Sequence, residues 1–313
     1  MSKEKKETEN TRPARPWLGL LAASTIVIIW SGWLVTSRAG VQSSLTVYDL
    51  LAFRFGIASL FALPFVVYAR PWRHMTFQQL WVTTAVIGLP YSLIIFSAFH
   101  DAPAAHGAVF MNGMLPALIM LLGYILFREK PTSQHILGAV LIIIGAGFAA
   151  FGIAGFDIAT TWFGDLLFIA AASLFAIYMI LNRVWHLSVT QIWLCGSVLN
   201  AILFLPIYFL FLPSGISETP MDQLWFQMGY QGIVPNIIGL VLISVAVRNI
   251  GPSVTAALMS GVPGIGAFLA YIFLGETPTG FGIISFMILT PGIIIASLPS
   301  LRNARTPGLT NPR

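Results

Sequence analysis

The chain has 313 residues, of which 57% are apolar and only 9% are charged. Soluble globular domains carry about 25% charged residues, so the composition argues strongly against a soluble enzyme or a soluble binding module. The net charge of +5 comes from bases scattered between apolar runs. This scatter argues against nucleic acid as a partner and favours a membrane surface. A single cysteine excludes both an intramolecular disulfide framework and a cysteine-based zinc cluster.

Ten apolar runs dominate the chain between two polar tails. The tails, 1–16 and 301–313, are predicted to be disordered and cytosolic. Each run has roughly the 17–25 mostly apolar residues that a membrane-spanning helix needs, and the first lacks a signal-peptide cleavage site. The fold class is therefore predicted to be an all-α polytopic membrane protein. The predicted spans are 17–37, 46–69, 78–98, 103–127, 135–154, 162–182, 188–211, 224–247, 252–274 and 280–299.

The charges predict the orientation of these spans. If both tails face the cytoplasm, every Lys and Arg except Arg38 and Arg54 lies on the cytoplasmic side. Arg38 then lies outside and Arg54 lies within a span, while acidic residues dominate the outer loops. The positive-inside rule thus predicts cytoplasmic termini in a multi-pass protein of the inner or plasma membrane.

An internal repeat recurs after about 145 residues. The pattern Pro-x12-Glu-x-Pro-Thr begins at Pro116 and again at Pro263. Each half, 17–154 and 155–300, contains five predicted helices, and an odd number inserts the halves with opposite topology. Inverted repeats are typical of alternating-access transporters that bind substrate near the midplane between the halves.

Short motifs along the chain carry a family resemblance. Besides the repeated pattern they are Trp30-Ser31-Gly32, Arg54-Phe55, Gly164-Asp165 and Ala176-Ile177-Tyr178. In this order, with ten helices and a repeat, the sequence resembles the drug/metabolite transporter superfamily, specifically its ten-helix EamA family, over residues 17–300. The resemblance implies export of small metabolites across a plasma membrane, commonly amino acids. Within the family the chain looks most like the bacterial amino-acid exporters of the YddG type.

One departure bears on the substrate. Sugar-phosphate and nucleotide-sugar members of the superfamily hold phosphate with bases inside late helices. Here Arg183 and Arg248 lie at helix ends, so predicted spans 6 to 10 contain no intramembrane base. An isolated charge is costly at the midplane, and we therefore expect neutral or zwitterionic substrates rather than phosphorylated ones.

Prolines interrupt four predicted helices at repeated places, namely Pro90, Pro116, Pro235 and Pro263. Proline removes a backbone donor and frees a carbonyl, which then needs protein or water as a partner. These segments are predicted to line the pathway and to take part in gating. A packing kink between helices is the alternative.

Polar and aromatic side chains near these interruptions are the predicted substrate site. They are Trp30, Trp33, Tyr91, Asn112, Tyr178 and Asn236. The asparagine amides both donate and accept, which suits amino and carboxyl groups, and the rings suit an aromatic side chain or an ammonium. Tryptophan and tyrosine also form belts at membrane interfaces, so a structural role for each ring is the alternative.

Arg54 joins the predicted substrate site because it is the one base clearly inside a span. An intramembrane arginine indicates function by default, here contact with a substrate carboxylate. Two structural roles are equally open from the sequence. The side chain either snorkels outward or forms a clamp with Asp49 or Asp165.

Acidic residues suited to proton coupling are scarce. Glu129 and Glu276 end their helices and are expected to cap helices or to pair with nearby groups. Asp165 is expected to favour the N-terminal dipole of its helix. His100 and His106 flank a short outer loop, and they are expected to be simply polar loop and helix-end groups; titration near neutral pH is the alternative. Because the midplane lacks a carboxylate relay, facilitated transport is favoured over strict proton antiport.

Other classes of function are weaker. None of the common intramembrane-protease, zinc or phosphate-loop motifs occurs, so an enzyme is not expected and neither is a cofactor or a metal site. A multidrug or cation exporter of the same superfamily is the main alternative, although it would favour an intramembrane carboxylate. The expected partners are a small-molecule substrate and the lipid bilayer, and the chain is expected to work as a monomer, with an oligomer left open.

Overall fold

A computed structural model describes residues 15–128, 130–150 and 158–297. Within these ranges the chain forms helices and no β-strand, and ten helices are long and apolar enough to cross a membrane. The predicted all-α polytopic fold is therefore confirmed. The ten helices are α1 (Pro16–Val41), α2 (Val47–Ala69), α3 (Phe77–Asp101), α4 (Ala104–Leu126), α5 (Ser133–Ala150), α6 (Thr160–Trp185), α7 (Val189–Phe211), α8 (Met221–Gly251), α9 (Ala257–Leu274) and α10 (Gly280–Ser297).

Several predictions lie outside the described residues. They are the two tails, apart from residues 15 and 16, and the role of Glu129. Elsewhere the helix ends differ from the predicted ones by a few residues, most of all in α8, which begins at Met221 and ends at Gly251. The first turn of α8 carries polar side chains, so a prediction from apolar residues starts the span too late. The backbone is nevertheless helical from Met221 onward.

Alternating helices place the connecting segments on two opposite faces. The basic face carries Arg15 and the connections 70–76 and 186–188, and the far face carries the connections 42–46 and 212–220. Hydrogen bonds between segments distant in sequence join groups on the same face. On the basic face the backbone N–H of Arg15 donates to the side chain of Asn249, 2.9 Å away. On the far face the Thr46 hydroxyl donates to the carbonyl of Pro213 at 3.2 Å.

Four of the helices are interrupted, and a proline lies at each interruption. A new helical segment begins at Leu89 in α3, at Leu115 in α4, at Val234 in α8 and at Val262 in α9. The second residue of each segment is proline. In a first helical turn the missing N–H has no intrahelical partner in any case, so proline starts a helix there rather than breaking one. The prolines therefore restart helices after gaps, which differs from the predicted mid-helix kinks.

Four π-helical stretches add further irregularity. They are Phe53–Ile57 in α2, Gly107–Gly113 in α4, Leu194–Val198 in α7 and Val234–Ile238 in α8. A π-helical turn leaves backbone carbonyls imperfectly paired and often marks a functional segment. Arg54, Asn112 and Asn236, three of the predicted site residues, lie in these stretches. Three of the seven predicted site residues therefore lie on irregular backbone.

Helices α5 and α10 pack closely because glycines face the contact. A Cβ atom added to Gly145 would lie 2.7 Å from Cβ of Leu289 and 3.0 Å from its backbone nitrogen. One added to Gly147 would have none of the described atoms within 4 Å. In a membrane, where lipid is as apolar as leucine, such small residues let helix backbones approach.

These two glycines predict opposite effects of alanine. We expect Gly145→Ala to lower the free energy of unfolding by about 1–2 kcal/mol, because the added methyl group overpacks the contact with Leu289. We expect Gly147→Ala to raise it by about 0.5–1 kcal/mol, because alanine favours the helix and meets no neighbour. Unfolding of both variants in detergent, followed by circular dichroism, measures the difference. Equal effects would contradict the packing assignment.

Candidate functional site

Arg54 is the centre of the candidate site. Its guanidinium carbon lies 5.6 Å from the ring centroid of Trp33 and 5.9 Å from that of Tyr91. Such distances allow cation–π attraction. Across the part of the chain that the structure describes, no carboxylate lies within 4.0 Å of this guanidinium, and no hydrogen bond to it is formed. The side chain is partly buried.

A clamp between Arg54 and Asp49 or Asp165, one of the alternatives that the sequence left open, is therefore not formed. Asp49 instead accepts hydrogen bonds from Tyr208, at 2.5 Å, and from Ser214, at 2.7 Å. Asp165 instead contacts His106. Because both carboxylates are satisfied elsewhere, the Arg54 charge is balanced by neither of them.

A chain of contacts links Trp33 to the interruption in α8. The indole N–H of Trp33 donates to Oε1 of Gln231 at 2.9 Å. Asn236 donates from Nδ2 to the backbone carbonyl of Gln231 at 2.7 Å. The amide of Asn236 thus donates to a backbone carbonyl beside the π-helical stretch, so this residue stabilises the interruption in α8. Its contact with substrate stays a prediction.

A second chain of contacts links Tyr91 to Tyr178. The ring centroid of Phe175 lies 5.8 Å from that of Tyr91 and 5.5 Å from that of Tyr178. Both tyrosines are at least nine-tenths buried. The rings of α3 and α6 therefore form a continuous apolar surface that begins at the Arg54 guanidinium.

Trp30 and Asn112 stand apart from these chains of contacts. The indole nitrogen of Trp30 lies against α8, where a Cβ added to Gly239 would be 3.4 Å away. Asn112 is partly buried, and its amide forms no hydrogen bond with any residue that the structure describes. An unpaired amide beside an irregular helix is available to a ligand, whereas that of Asn236 is already engaged.

Asn200 in α7 closes the gap in α3, a role the sequence analysis missed. Its Oδ1 accepts from the backbone N–H of Leu89 at 2.8 Å, and its Nδ2 donates to the carbonyls of Cys195, at 2.6 Å, and Thr84, at 3.3 Å. The side chain is only 2% exposed. One amide thus satisfies backbone groups at two interruptions, which otherwise would remain unpaired in an apolar surrounding. An asparagine within an apolar run was the available signal.

Gln227 and Gln231 are further polar groups that the sequence analysis missed. Gln227 donates to the carbonyl of Thr36 at 2.8 Å, and Gln231 donates to Ser37 at 3.3 Å. Both glutamines are buried against α1. Two glutamines spaced four apart lie on one side of a helix, so their spacing was a signal for this polar contact.

The far face is held together by a buried charged contact. Nε of Arg38 lies 4.0 Å from Oε1 of Glu276. The two carboxylate oxygens of Glu276 accept from the backbone N–H groups of Ala104, at 2.9 Å, and Ala105, at 3.1 Å. Glu276 therefore caps α4 and pairs with a base, as predicted. A carboxylate at a helix N-terminus is favoured both by the unpaired N–H groups and by the helix dipole.

A second contact on the far face involves His106. It lies in the first turn of α4, at a helix end as predicted, and its imidazole is completely buried, with Nδ1 2.7 Å from Oδ1 of Asp165. Asp165 lies within α6 and is 6% exposed, so it does more than favour the helix dipole. His100 matches its prediction, because it is an exposed group 2.9 Å from Asp101.

Among the described residues, the arrangement provides a cation without an acidic partner between two aromatic rings, with further rings beside it. An arginine guanidinium is a common partner of carboxylates, and aromatic rings stack on other rings. Among the residues described, no cluster of three or more His, Cys, Asp or Glu side chains is placed to hold a metal ion.

A sequence model of the EamA-like transporter family matches residues 17–151 and again residues 162–298. An uncharacterized transporter of Methanothermobacter thermautotrophicus is 28% identical over 207 residues, which are 65% of this chain and 59% of that protein. The uncharacterized transporter YdfC of Bacillus subtilis is 20% identical over 292 residues, 89% of this chain and 90% of that one. A crystal structure with 20% identity superposes with a TM-score of 0.63, covers 93% of this chain and 100% of its own, and shares the fold.

Proposed function

This chain belongs to the EamA-like transporter family of membrane transporters, and from this premise we propose that it exports small neutral or zwitterionic metabolites, in particular amino acids, aromatic ones included. The observation that carries the proposal is the Arg54 guanidinium, which lies over the rings of Trp33 and Tyr91 without an acidic partner in the described part of the chain. A partly buried cation that lacks a counter-charge among the described residues is costly, so a substrate carboxylate would stabilise it.

The same surroundings support an aromatic or apolar side chain on the substrate. The rings of Tyr91, Phe175 and Tyr178 contact one another in series, and the partly exposed ring of Phe175 is proposed to contact such a side chain. One fixed positive charge suits one carboxylate and repels a permeant cation, which speaks against the multidrug cation exporter. The amide of Asn112, which forms no hydrogen bond with a described residue, is proposed as a further polar contact for an amino or carboxyl group.

Alternating access is the proposed mechanism, with two inverted five-helix halves. The family model matches each half once, and each half contains five spans. On the far face, charged contacts join the halves through Glu276 and Asp165, so opening this face requires those contacts to part. The interruptions at the four prolines are proposed to absorb the change in backbone angle. The basic face is proposed to be cytoplasmic, in a cell membrane, by the positive-inside rule.

Counterflow in proteoliposomes tests the proposal. Vesicles that contain the purified protein are loaded with one unlabelled compound, and entry of the same radiolabelled compound is followed. We expect counterflow of aromatic and large apolar amino acids and none of sugar phosphates or of a dye cation such as ethidium. Counterflow of ethidium alone would contradict the proposed substrate class, and protein-free vesicles are the control.

A further inference from the structure

The imidazole of His106 is an enclosed group with one nitrogen unpaired. Nδ1 contacts Asp165 at 2.7 Å, whereas Nε2 is buried and has no hydrogen-bond partner among the described residues. Buried polar atoms are hydrogen-bonded in the large majority of cases, so an unpaired one calls for an explanation. Histidine is also the side chain that changes charge most readily near neutral pH.

The pair of His106 and Asp165 has two protonation states that keep the same hydrogen bond. In one state Nδ1–H donates to the carboxylate, Nε2 is bare, and the pair carries one negative charge. In the other state a proton on Nε2 makes the imidazole cationic and completes an ion pair. Attraction between opposite charges is strong at this distance in a poorly hydrated interior, so the protonated state binds the two helices more tightly.

Two other charged groups lie near the pair. Glu276, from the connection after α9, binds the N–H groups of the two residues before His106, and Arg38 of α1 lies 4.0 Å from that carboxylate. Arg38 also donates to the carbonyls of Phe99 and His100 at the end of α3. These groups are already paired with one another, whereas Nε2 of His106 has no hydrogen-bond partner among the described residues.

The two residues of the pair belong to different halves of the protein. His106 lies in α4 of the first half, and Asp165 lies in α6 of the second half. Glu276 of the second half holds the same first turn of α4. Separation of the halves on the far face therefore breaks the contact between His106 and Asp165, and the free energy of that contact depends on the proton.

We propose that the His106–Asp165 pair is a proton-binding site and that a proton bound there holds the far face closed. The inference rests on the proposed transport function, because closing and opening of this face are steps of that cycle. It also revises the expectation of simple facilitated transport, since the proton site lies at the far face rather than in a midplane relay. Acidification lowers the open fraction, and binding of a proton is favoured in the closed state by the same factor.

A distance measurement tests the proposal without a substrate. Spin labels are placed on Ser44→Cys and Thr277→Cys, two exposed far-face positions in different halves, in a Cys195→Ala background. Double electron–electron resonance in lipid nanodiscs gives the open and closed populations at pH 6 and pH 8. We expect the open-to-closed ratio to be about fivefold or more higher at pH 8.

Two variants and a matched control identify the group responsible. His106→Gln and Asp165→Asn should each reduce the pH effect to less than about twofold. His100→Gln should leave it intact, because His100 forms the same kind of contact with Asp101 but on the exposed surface. If one of the first two variants fails to fold, the pH effect measured in the other variant tests the proposal.

The outcomes separate this proposal from the transport proposal. Equal populations at the two pH values in the unmodified His106 protein overturn the proton site, as does a full pH effect in His106→Gln or Asp165→Asn. Loss of the effect in His100→Gln overturns it too. A pH-dependent distance together with no amino-acid counterflow supports the proton site and contradicts only the proposed substrate.

Discussion

Replacing Arg54 by glutamine should abolish counterflow, lowering its initial rate by about 100-fold. The physical reason is that glutamine keeps much of the length of the side chain but removes the charge that would bind a substrate carboxylate. Folding should be preserved, because the guanidinium has no acidic partner within the described residues and its removal relieves a desolvated charge. The rate is measured in proteoliposomes with an amino acid that the unmodified protein exchanges, and the melting temperature is measured on the same preparation.

Two further variants define what Arg54 does. Arg54→Lys should recover only part of the rate, since lysine keeps the charge but lacks the planar fork that binds a carboxylate through two hydrogen bonds and stacks on rings. Arg248→Gln should retain the full rate, because that arginine is exposed near the end of α8 on the basic face. An unchanged rate in Arg54→Gln would show that the residue does not bind substrate. A collapsed melting temperature would instead assign it a structural role.

Replacing Asp49 by alanine should lower the free energy of unfolding by about 3–5 kcal/mol. The carboxylate is completely buried and accepts from Tyr208 and Ser214 and also, at 2.9 Å, from the backbone N–H of Gly215. It accepts from the backbone N–H of Thr46 as well, at 2.7 Å, and so caps the start of α2. Alanine would leave all of these donors unpaired in a buried place, which costs more than the net value of the bonds.

Glu218→Ala is the matched control for this prediction. Glu218 is an exposed acid three residues after Gly215 on the same far-face connection, and its loss should change stability by less than about 0.5 kcal/mol. Both variants are unfolded in mixed micelles with increasing dodecyl sulfate and followed by tryptophan fluorescence. If the two variants lose the same stability, Asp49 does not fasten α2 to the connection after α7.

Long, strongly apolar segments determined the fold class from the sequence alone. A helix that crosses lipid must satisfy its own backbone, so length and hydropathy suffice to find all ten spans. The backbone preferences of proline also predicted helix interruptions at four positions, because proline restricts its own backbone wherever it lies. These positions are Pro90, Pro116, Pro235 and Pro263. For the same reason the sequence located the four interruptions at these prolines, though not their form, which is a restart of the helix at each proline. It did not locate the π-helical stretch around Arg54, which contains no proline.

Only the tertiary structure decided which side chains of different helices contact each other. From the sequence, Asp49 and Asp165 were possible partners of Arg54. In the structure Asp49 instead accepts a hydrogen bond from Tyr208, and Asp165 contacts His106. Likewise Asn200 reaches Leu89 across 111 residues, and Gln231 reaches Trp33 across 198. Hydropathy and spacing describe one helix at a time, whereas these contacts depend on the rotation and depth of two helices packed together. The sequence alone determined that this is a ten-span membrane protein. The packing of those spans decided which charges are paired, and it left Arg54 without an acidic partner among the described residues.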